Sequence, residues 1–340
     1  MSYKIAVLSP VAWRTPPRHY GPWEQVASNI AEGLVEKGWD VTLFATQDSF
    51  TKGRLEAVIP AGYEEDNEAD AKVAECLHIS YLMEQADTFD LIHNHFDFLP
   101  LTYTGFIKTP VITTIHGFSS FRIIPVYKKY NTGNNYYVSI SNADRHPELT
   151  YTATVYNGID SHDFSFNETP ENYLLYFGRI HPDKGTFEAI QIAKKAGWQL
   201  LISGIIQDER YFDEKVAPWI NQDDILYMGV AGPHQRNQLL GHAAALLHPI
   251  RFHEPFGLSV AEAQFCGTPV IAFNKGSMPE LIVPAKTGFL VSNIEEAALA
   301  VADLPRIHRR HCREWAVKNF SKEKMVDDYI AVYKTILENP

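Results

Sequence analysis

Residues 253–270 read HEPFGLSVAEAQFCGTPV, and this stretch decides the fold. Pro255 fixes its own φ and Gly257 frees the backbone, which predicts a tight corner followed by a helix. The helix LSVAEAQF is expected to end at Gly267, and the segment TPVIAF after it has the composition of a buried strand.

Two glutamates bracket this corner, Glu254 before it and Glu262 eight positions later in the helix. The first helical amides lie between the two carboxylates, and a free helix N-terminus binds anions. The pattern fits an anion with a hydroxyl-bearing group on each side, as in a nucleotide sugar, where a diphosphate joins a hexose to a ribose. The alternative is a capping glutamate followed by a solvated one, which is the usual explanation for either residue alone.

Short apolar runs rich in Val and Ile alternate with helical patterns along most of the chain. The strand candidates of the first half are KIAVLS, DVTLFAT, DLIHNH, PVITTIH, YYVSIS and ATVYNG, and those of the second half are YLLYFG, QLLISG, DILYMG, AALLHP and PVIAF. Such alternation indicates parallel sheets covered by helices on both faces. Two sets predict two Rossmann-like α/β domains that bind ligands at the carboxyl ends of their strands.

The predicted domains are residues 1–165, residues 166–320, and a final helix over residues 321–340. The polar stretch 161–172 is the predicted linker. The final helix carries Met325, Tyr329, Tyr333 and Leu337 on one face. We therefore expect it to cross back and bury that face against the first domain.

Composition excludes several classes of protein. The chain has 340 residues, of which 45% are hydrophobic and 21% charged, as in an ordinary soluble globular protein. No apolar run approaches the length of a membrane span, so stable membrane insertion is not expected. The net charge of −11 disfavours nucleic acid as a partner. Three widely spread cysteines suggest neither a disulfide framework nor a metal site, which fits a cytoplasmic location.

One local exception to the acidic balance is the basic run RIHRRHCR over residues 306–313. A run of this kind usually forms the solvated face of a helix. We expect that here.

The second half opens with YLLYFGRIHPDKGTFEAI, in which Arg179 and Lys184 flank a Pro-Asp turn after a buried strand. Two cations at the carboxyl end of a strand, beside a helix N-terminus, form a clamp for a polyanion. The alternative is a pair of surface charges around a turn. The position at the opening of the domain favours the clamp.

The segment GRIHPDKG, followed by EPFGLSVAEAQFCGTPVIAF, GSMPELI and KTGFLV, resembles glycosyltransferase family 4, whose members are retaining enzymes of the GT-B fold. The E-x7-E pattern of that family falls on Glu254 and Glu262. The first-half segments VLSP, GWDVTLFA, TIHG, SIS and VYNGID also resemble family segments in the expected order. The resemblance implies a GT-B fold with two Rossmann-like domains facing a central cleft.

The resemblance also implies roles for residues of the second half. Arg179 and Lys184 would neutralise the leaving diphosphate, and Glu254 would contact hydroxyls of the donor sugar. Glu262 would hold the ribose hydroxyls. The sugar and the phosphate would be bound by the backbone amides of Phe256, Gly257 and Leu258.

In the first half, His116 of TIHG matches the family histidine near the reacting sugar, which completes a catalytic set with Arg179, Lys184 and Glu254. Gly21 matches a glycine of the loop that approaches the diphosphate. The next residue departs from the family pattern, because Pro22 lacks the amide donor of a second glycine.

The predicted acceptor lining of the first half comprises Trp13, Asn94, His95 and His116. The segment HNHFDF also places His93, His95 and Asp97 at alternate positions, as in some metallohydrolases. Because Phe98 stands where such enzymes have a further histidine, we predict acceptor lining and no metal site.

The sequence therefore predicts a retaining glycosyltransferase that moves a glucose- or mannose-type hexose from a UDP- or GDP-sugar to a saccharide or other small hydroxyl acceptor. No cofactor or metal is expected, because fixed cations and helix amides can stabilise the leaving diphosphate. The alternatives are a nucleotide-sugar epimerase, a phosphorylase, and a sugar-nucleotide-binding protein without catalysis. The sequence has no lysine motif for pyridoxal phosphate, which disfavours the phosphorylase. The donor base, the acceptor and the oligomeric state stay open.

Overall fold

The computed structural model describes residues 3–66, 68–221 and 223–338. The chain divides into two compact units. The first contains the described residues up to Gly158 together with those from Lys322, and the second runs from Ile159 to Ser321. Each unit has a parallel sheet of its own.

The first unit is built on a sheet with the strand order β3-β2-β1-β4-β5-β6-β7, in which every pairing is parallel. Its strands are β1 (Lys4–Leu8), β2 (Asp40–Phe44), β3 (Arg54–Glu56), β4 (Leu91–Asn94), β5 (Val111–Ile115), β6 (Asn135–Ser139) and β7 (Ala153–Thr154). Its helices before Gly158 are α1 (Pro22–Glu36), α2 (Ala71–Met83) and α3 (Ile124–Tyr130).

The second unit has the strand order β10-β9-β8-β11-β12-β13, again parallel throughout. Its strands are β8 (Tyr173–Phe177), β9 (Gln199–Ser203), β10 (Ile225–Tyr227), β11 (Ala245–His248), β12 (Val270–Phe273) and β13 (Gly288–Val291). Its helices are α4 (Thr186–Ala196), α5 (Glu209–Tyr211), α6 (Pro233–His242), α7 (Leu258–Phe265), α8 (Met278–Leu281), α9 (Ile294–Ala302) and α10 (Arg309–Phe320).

The continuous apolar runs of the strands follow from burial of both sheet faces. In β1, Ile5 and Val7 join the core on the side of α1, whereas Ala6 and Leu8 join the core on the side of α2. Successive side chains of a strand point to opposite faces, so every position of such a strand has to be apolar.

The last helix, α11 (Lys322–Glu338), lies in the first unit and packs on α1. Met325, Tyr329 and Tyr333 are buried in that core. Close approach is possible because α1 has a glycine at the contact: a Cβ on Gly33 would lie 2.4 Å from Cγ2 of Val326. No helix in the described ranges is both long and apolar enough to span a membrane.

The segment predicted as a linker, residues 161–172, instead forms part of the second unit. Two arginines of α10 donate hydrogen bonds to its backbone carbonyl oxygens. Arg309 donates to that of Asn167, and Arg313 donates to that of Phe164. The chain passes between the units at 158/159, so the predicted boundary at 165/166 was wrong. The Asn167 side chain also donates to the Gly241 carbonyl oxygen at 3.1 Å, within the same unit.

The prediction of a solvated basic face over residues 306–313 was also wrong for these two arginines. Arg309 is buried, and its guanidinium donates to the carbonyl oxygens of Ala243 and Gly241 as well as to that of Asn167. A planar group with five N–H donors suits a buried place where several carbonyls meet.

Both sheets reverse their strand order next to their first strand, between β1 and β4 in one unit and between β8 and β11 in the other. In open parallel sheets, ligands bind at the carboxyl ends of the strands beside such a reversal. Ligands are therefore expected to bind beside the residues that follow these strands.

Candidate active site

The turn after β8 brings Lys184 against the loop that follows β11. Gly185 makes this possible, because it has φ +75° and a Cβ there would lie 2.0 Å from the carbonyl oxygen of Pro249. The Arg251 amide also donates to the carbonyl oxygen of Asp183 at 2.7 Å, which ties the turn to the loop. A side chain at position 185 would push the two segments apart.

Lys184 and Glu254 form a largely buried ion pair at this point. Lys184 Nζ donates to Glu254 Oε2 at 2.5 Å and lies 4.7 Å from the centre of the Phe252 ring. Nε2 of His248, the last residue of β11, is 3.7 Å from the same carboxylate oxygen. Burial alone would raise the pKa of Glu254, but the nearby His248 and the charge of Lys184 outweigh it and lower that pKa to about 2. Glu254 is therefore an anion that accepts hydrogen bonds.

His248 was not identified from the sequence, although it ends a predicted strand. It is buried, and burial lowers its pKa, which keeps the ring neutral near pH 7. Its Nε2 has no hydrogen-bond partner in the described parts of the chain.

Arg179 lies on the same edge of the sheet, and its contacts among the described residues are with uncharged groups. Its backbone carbonyl accepts from the Tyr176 hydroxyl at 2.7 Å, and its guanidinium bonds the neutral side-chain oxygen of Gln207. The second predicted cation therefore has no carboxylate partner among the residues that the structure describes.

The N-terminus of α7 is open. Gly257 caps the helix with φ +94° and supplies no side-chain acceptor. The amides of Leu258 and Ser259 find no acceptor in the described ranges, and both residues are partly exposed. The first intrahelical bond runs from the Val260 amide to the Gly257 carbonyl at 3.0 Å. Unsatisfied amides at a helix start attract an anion.

Phe256, whose amide was predicted to bind the donor, anchors this corner. Its buried ring packs edge-on against Phe320 at 5.8 Å, and its carbonyl oxygen accepts from Ser277 Oγ at 2.6 Å. These contacts fix the start of α7.

Glu262 lies inside α7 and is paired with a residue that the sequence did not suggest. Arg236 Nη1 of α6 is 3.4 Å from Glu262 Oε1. Burial raises the pKa of Glu262, and the charge of Arg236 counters only part of that effect. The Arg236 guanidinium also lies over the Phe164 ring at 5.0 Å. No motif distinguishes Arg236 from the other surface residues of α6.

In the first unit, His116 directly follows β5 and its ring is held in place. It stacks on Trp23 of α1, with ring centres 5.4 Å apart and planes inclined by 20°. Its Nε2 lies 3.0 Å from Nδ1 of His95, which follows β4. Burial lowers the pKa of His116 to about 3, so the ring is neutral at physiological pH.

His93 and Asp97, the other two candidate metal ligands of HNHFDF, each bond different neighbours. His93 contacts Tyr333 of α11 at 2.6 Å and Thr114 at 2.7 Å through its two ring nitrogens. Asp97 accepts from the Tyr127 hydroxyl at 2.7 Å. The described residues contain no group of three or more His, Cys, Asp or Glu side chains arranged around a metal position.

Asn94, a predicted acceptor residue, is completely buried. Its side-chain oxygen accepts from the Phe96 amide at 2.9 Å, and its side-chain nitrogen donates to Asp97 O and Thr113 Oγ1. Asn94 therefore shapes the turn after β4 and does not line a surface.

Gly21 caps α1 with φ +150°, and a Cβ there would lie 2.8 Å from Cβ of Pro17 and 3.0 Å from Oε2 of Glu24. Trp13, a predicted acceptor residue, is partly exposed and donates its amide to Glu24 Oε1 at 3.3 Å. Glu24 was not singled out from the sequence. It is buried, and burial raises its pKa to about 7.

Among the curated relatives, the following two each match about half of the chain. An uncharacterized 41.2 kDa protein in the cps region of Klebsiella pneumoniae is 33% identical over 169 residues, which cover 48% of this chain and 46% of that protein. The trehalose synthase of Pyrococcus horikoshii is 30% identical over 191 residues, covering 50% of this chain and 46% of the enzyme. The chain thus spans about half the length of these relatives.

The fold is similar to that of solved GT-B glycosyltransferases. The structure of HepE from Anabaena in complex with UDP and glucose aligns with a TM-score of 0.73 at 18% identity, covering 98% of this chain and 100% of that one. The predicted GT-B fold class is therefore confirmed.

A family model described as glycosyl transferases group 1 matches residues 159–311. This range lies within the second unit and contains Arg179, Lys184, Glu254 and Glu262. The match lies in the unit that contains the open helix start and the Lys184–Glu254 pair.

Proposed function

We propose that the protein is a retaining glycosyltransferase that transfers a hexose from a UDP- or GDP-sugar to a saccharide or other small hydroxyl acceptor, without a divalent metal. One observation carries the proposal. Arg179 and Lys184 follow β8, and Glu254 and the open start of α7 follow β11, its neighbour at the strand-order reversal of the second unit; Lys184 and Glu254 form an ion pair there. The match of residues 159–311 to the glycosyl transferases group 1 supports it.

The charges of Arg179, Lys184 and Glu254 favour a sugar phosphate over a polyanion that has no hydroxyl groups. Arg179, Lys184 and the amides of Leu258 and Ser259 attract phosphate oxygens. Glu254 is ionised and repels phosphate, but it accepts hydrogen bonds from hydroxyl groups. A ligand with hydroxyls next to its phosphate satisfies both requirements. A hexose 1-diphosphate has this arrangement.

Glu262 is the second hydroxyl acceptor of the proposal. It lies farther along α7 and is held by Arg236, a suitable place for the ribose of the nucleotide. HepE is described in complex with UDP and glucose, which supports a uridine nucleotide as the first donor to test.

In the proposed reaction, the bond from the sugar C1 to the diphosphate breaks while the acceptor oxygen bonds to C1 from the same face. The proton of the acceptor hydroxyl passes to the departing phosphate oxygen. Arg179, Lys184 and the α7 amides stabilise the negative charge that develops on the diphosphate. Glu254 already forms an ion pair with Lys184, which disfavours Glu254 as a covalent nucleophile. His116 would contact the reacting sugar.

The test is a panel of UDP-, GDP- and ADP-sugars incubated with the purified chain and a set of saccharides, with and without EDTA. We expect nucleoside diphosphate release that depends on one donor, a product with the anomeric configuration of that donor, and full activity in EDTA. An epimerised nucleotide sugar would favour the epimerase. Donor-dependent thermal stabilisation without turnover would favour a non-catalytic binding protein, since a ligand at 100 times its Kd adds about 2.7 kcal/mol.

A further inference from the structure

The ring of His116 is fixed on one face and at one nitrogen. Trp23 stacks on its face, and Nε2 lies 3.0 Å from His95 Nδ1. Nδ1 is the ring nitrogen without a hydrogen-bond partner in the part of the chain that the structure describes, and it is not completely buried. The ring can therefore contact a ligand through Nδ1.

His95 determines which nitrogen of His116 carries the proton. One proton lies between the two neutral rings, and it is bonded either to His95 Nδ1 or to His116 Nε2. If His116 donates from Nε2, His95 has to carry its own proton on Nε2, which is buried without a partner among the described residues. A buried N–H without an acceptor is rarer in proteins than an acceptor left unused. The favoured arrangement has His95 as the donor.

We infer that His95 is a positioning residue: its Nδ1–H donates to His116 Nε2, so that His116 presents Nδ1–H as a neutral hydrogen-bond donor to a substrate oxygen. The substrate contact rests on the proposed function, whereas the proton arrangement does not. A ring that stays neutral can hold a hydroxyl or ring oxygen of a sugar in place, but it does not act as a general acid.

The surroundings agree with two neutral rings. Burial lowers the pKa of His116 to about 3 and holds the pKa of His95 well below its usual range. The other titratable ring at the pair is that of His93, centred 4.0 Å from His95. Both nitrogens of His93 are engaged, by Tyr333 and Thr114.

The proton positions can be measured without activity. In the full chain labelled with 15N-histidine, two-bond proton–nitrogen correlations distinguish a protonated ring nitrogen from a bare one, and the signals lost in His116→Asn assign His116. We expect Nδ1 of His116 to be protonated and Nε2 to be bare. In His95→Leu, Nε2 of His116 loses its hydrogen-bond donor, and we expect the tautomers of His116 to shift toward the form protonated at Nε2. Finding His116 as the Nε2–H tautomer in the unmodified protein would overturn the inference.

His95→Asn is the matched variant, because its amide keeps an N–H donor close to the place of Nδ1. It should preserve the His116 tautomer that His95→Leu loses. His78→Leu removes another buried histidine of the first unit, which contacts the Ser9 carbonyl at 2.9 Å, and it should leave the His116 signals unchanged. Identical His116 signals in all three variants would contradict a positioning role.

The kinetic readout separates this inference from the proposed function. If the protein transfers a sugar, His95→Leu should lower kcat/KM about ten-fold, as for the loss of one neutral hydrogen bond, and His95→Asn should recover most of it. Equal losses in both variants would count against the donor role of His95. Absence of any transfer by the unmodified protein would refute the proposed function, while the tautomer measurement would still decide the role of His95.

Discussion

Removing Lys184 should destabilise the second unit through the carboxylate that it leaves behind. The pKa of Glu254 is about 2 against an ordinary value of 4.5. A shift of this size corresponds to about 3 kcal/mol of stability. Because the pKa is lowered on folding, this stability is present above about pH 4.5 and is lost as the pH falls through 2. His248 contributes to the lowered pKa as well as Lys184. Lys184→Met should therefore cost part of this energy, about 1–3 kcal/mol at pH 7.

Neutralising the partner should restore most of this loss. In Lys184→Met/Glu254→Gln, no charge stays buried, and we expect the unit to recover to within about 1 kcal/mol of the unmodified protein. The matched control is Lys195→Met. Lys195 pairs with Glu295 at 2.8 Å, but both side chains are more than half exposed, so its loss should leave the free energy of unfolding nearly unchanged.

Hydrogen exchange measured by mass spectrometry suits this test, because it reports opening free energies for separate segments. Peptides from β8 and β11 report on the second unit, and peptides from β1 and β4 serve as the internal reference. A loss below about 1 kcal/mol in Lys184→Met, or a double variant as unstable as the single one, would refute the reasoning. Transfer activity should stay low in the double variant, since the cation is still missing.

Three further predictions follow, two for residues of the candidate site and one for the contact between α1 and α11. Burial raises the pKa of Glu24 to about 7, so the folded protein binds the Glu24 proton more tightly than the unfolded chain does. The protein therefore loses stability as the pH rises from about 4.5 through 7 and Glu24 loses this proton. Glu24→Gln should therefore leave the free energy of unfolding unchanged near pH 4 and raise it by up to about 3 kcal/mol near pH 8; equal curves at both pH values in calorimetry would contradict this. Arg179→Gln should lower kcat roughly 10²–10³-fold without changing the melting temperature, and near-normal turnover would remove Arg179 from the active site. At Gly33 there is no room for a Cβ beside Val326, so Gly33→Ala should displace α11 and lower the free energy of unfolding, measured by calorimetry, by about 1–3 kcal/mol. An unchanged melting temperature would show that Val326 can move aside.

The sequence by itself determined the elements and several of the turns. Strands such as β1 and β11 are predictable because a strand covered on both faces needs an apolar residue at every position. The corner before α7 is predictable because Gly257 takes a φ of +94°, which other residues rarely adopt. β3, β13 and the boundary at 158/159 were not predicted, since short edge strands and hydrogen-bonded coil have no strong local pattern.

The tertiary structure decided which side chains meet at the strand ends. Lys184 and Glu254 are 70 positions apart, and they form a pair because β8 and β11 are neighbours in the sheet although they are not consecutive strands. His93 lies two positions from His95, yet it contacts Tyr333 of α11, 240 positions away. Local patterns set the face on which a side chain lies, whereas its partner depends on strand order and helix packing. These follow from burying the two cores as a whole, and no local stretch of sequence encodes them.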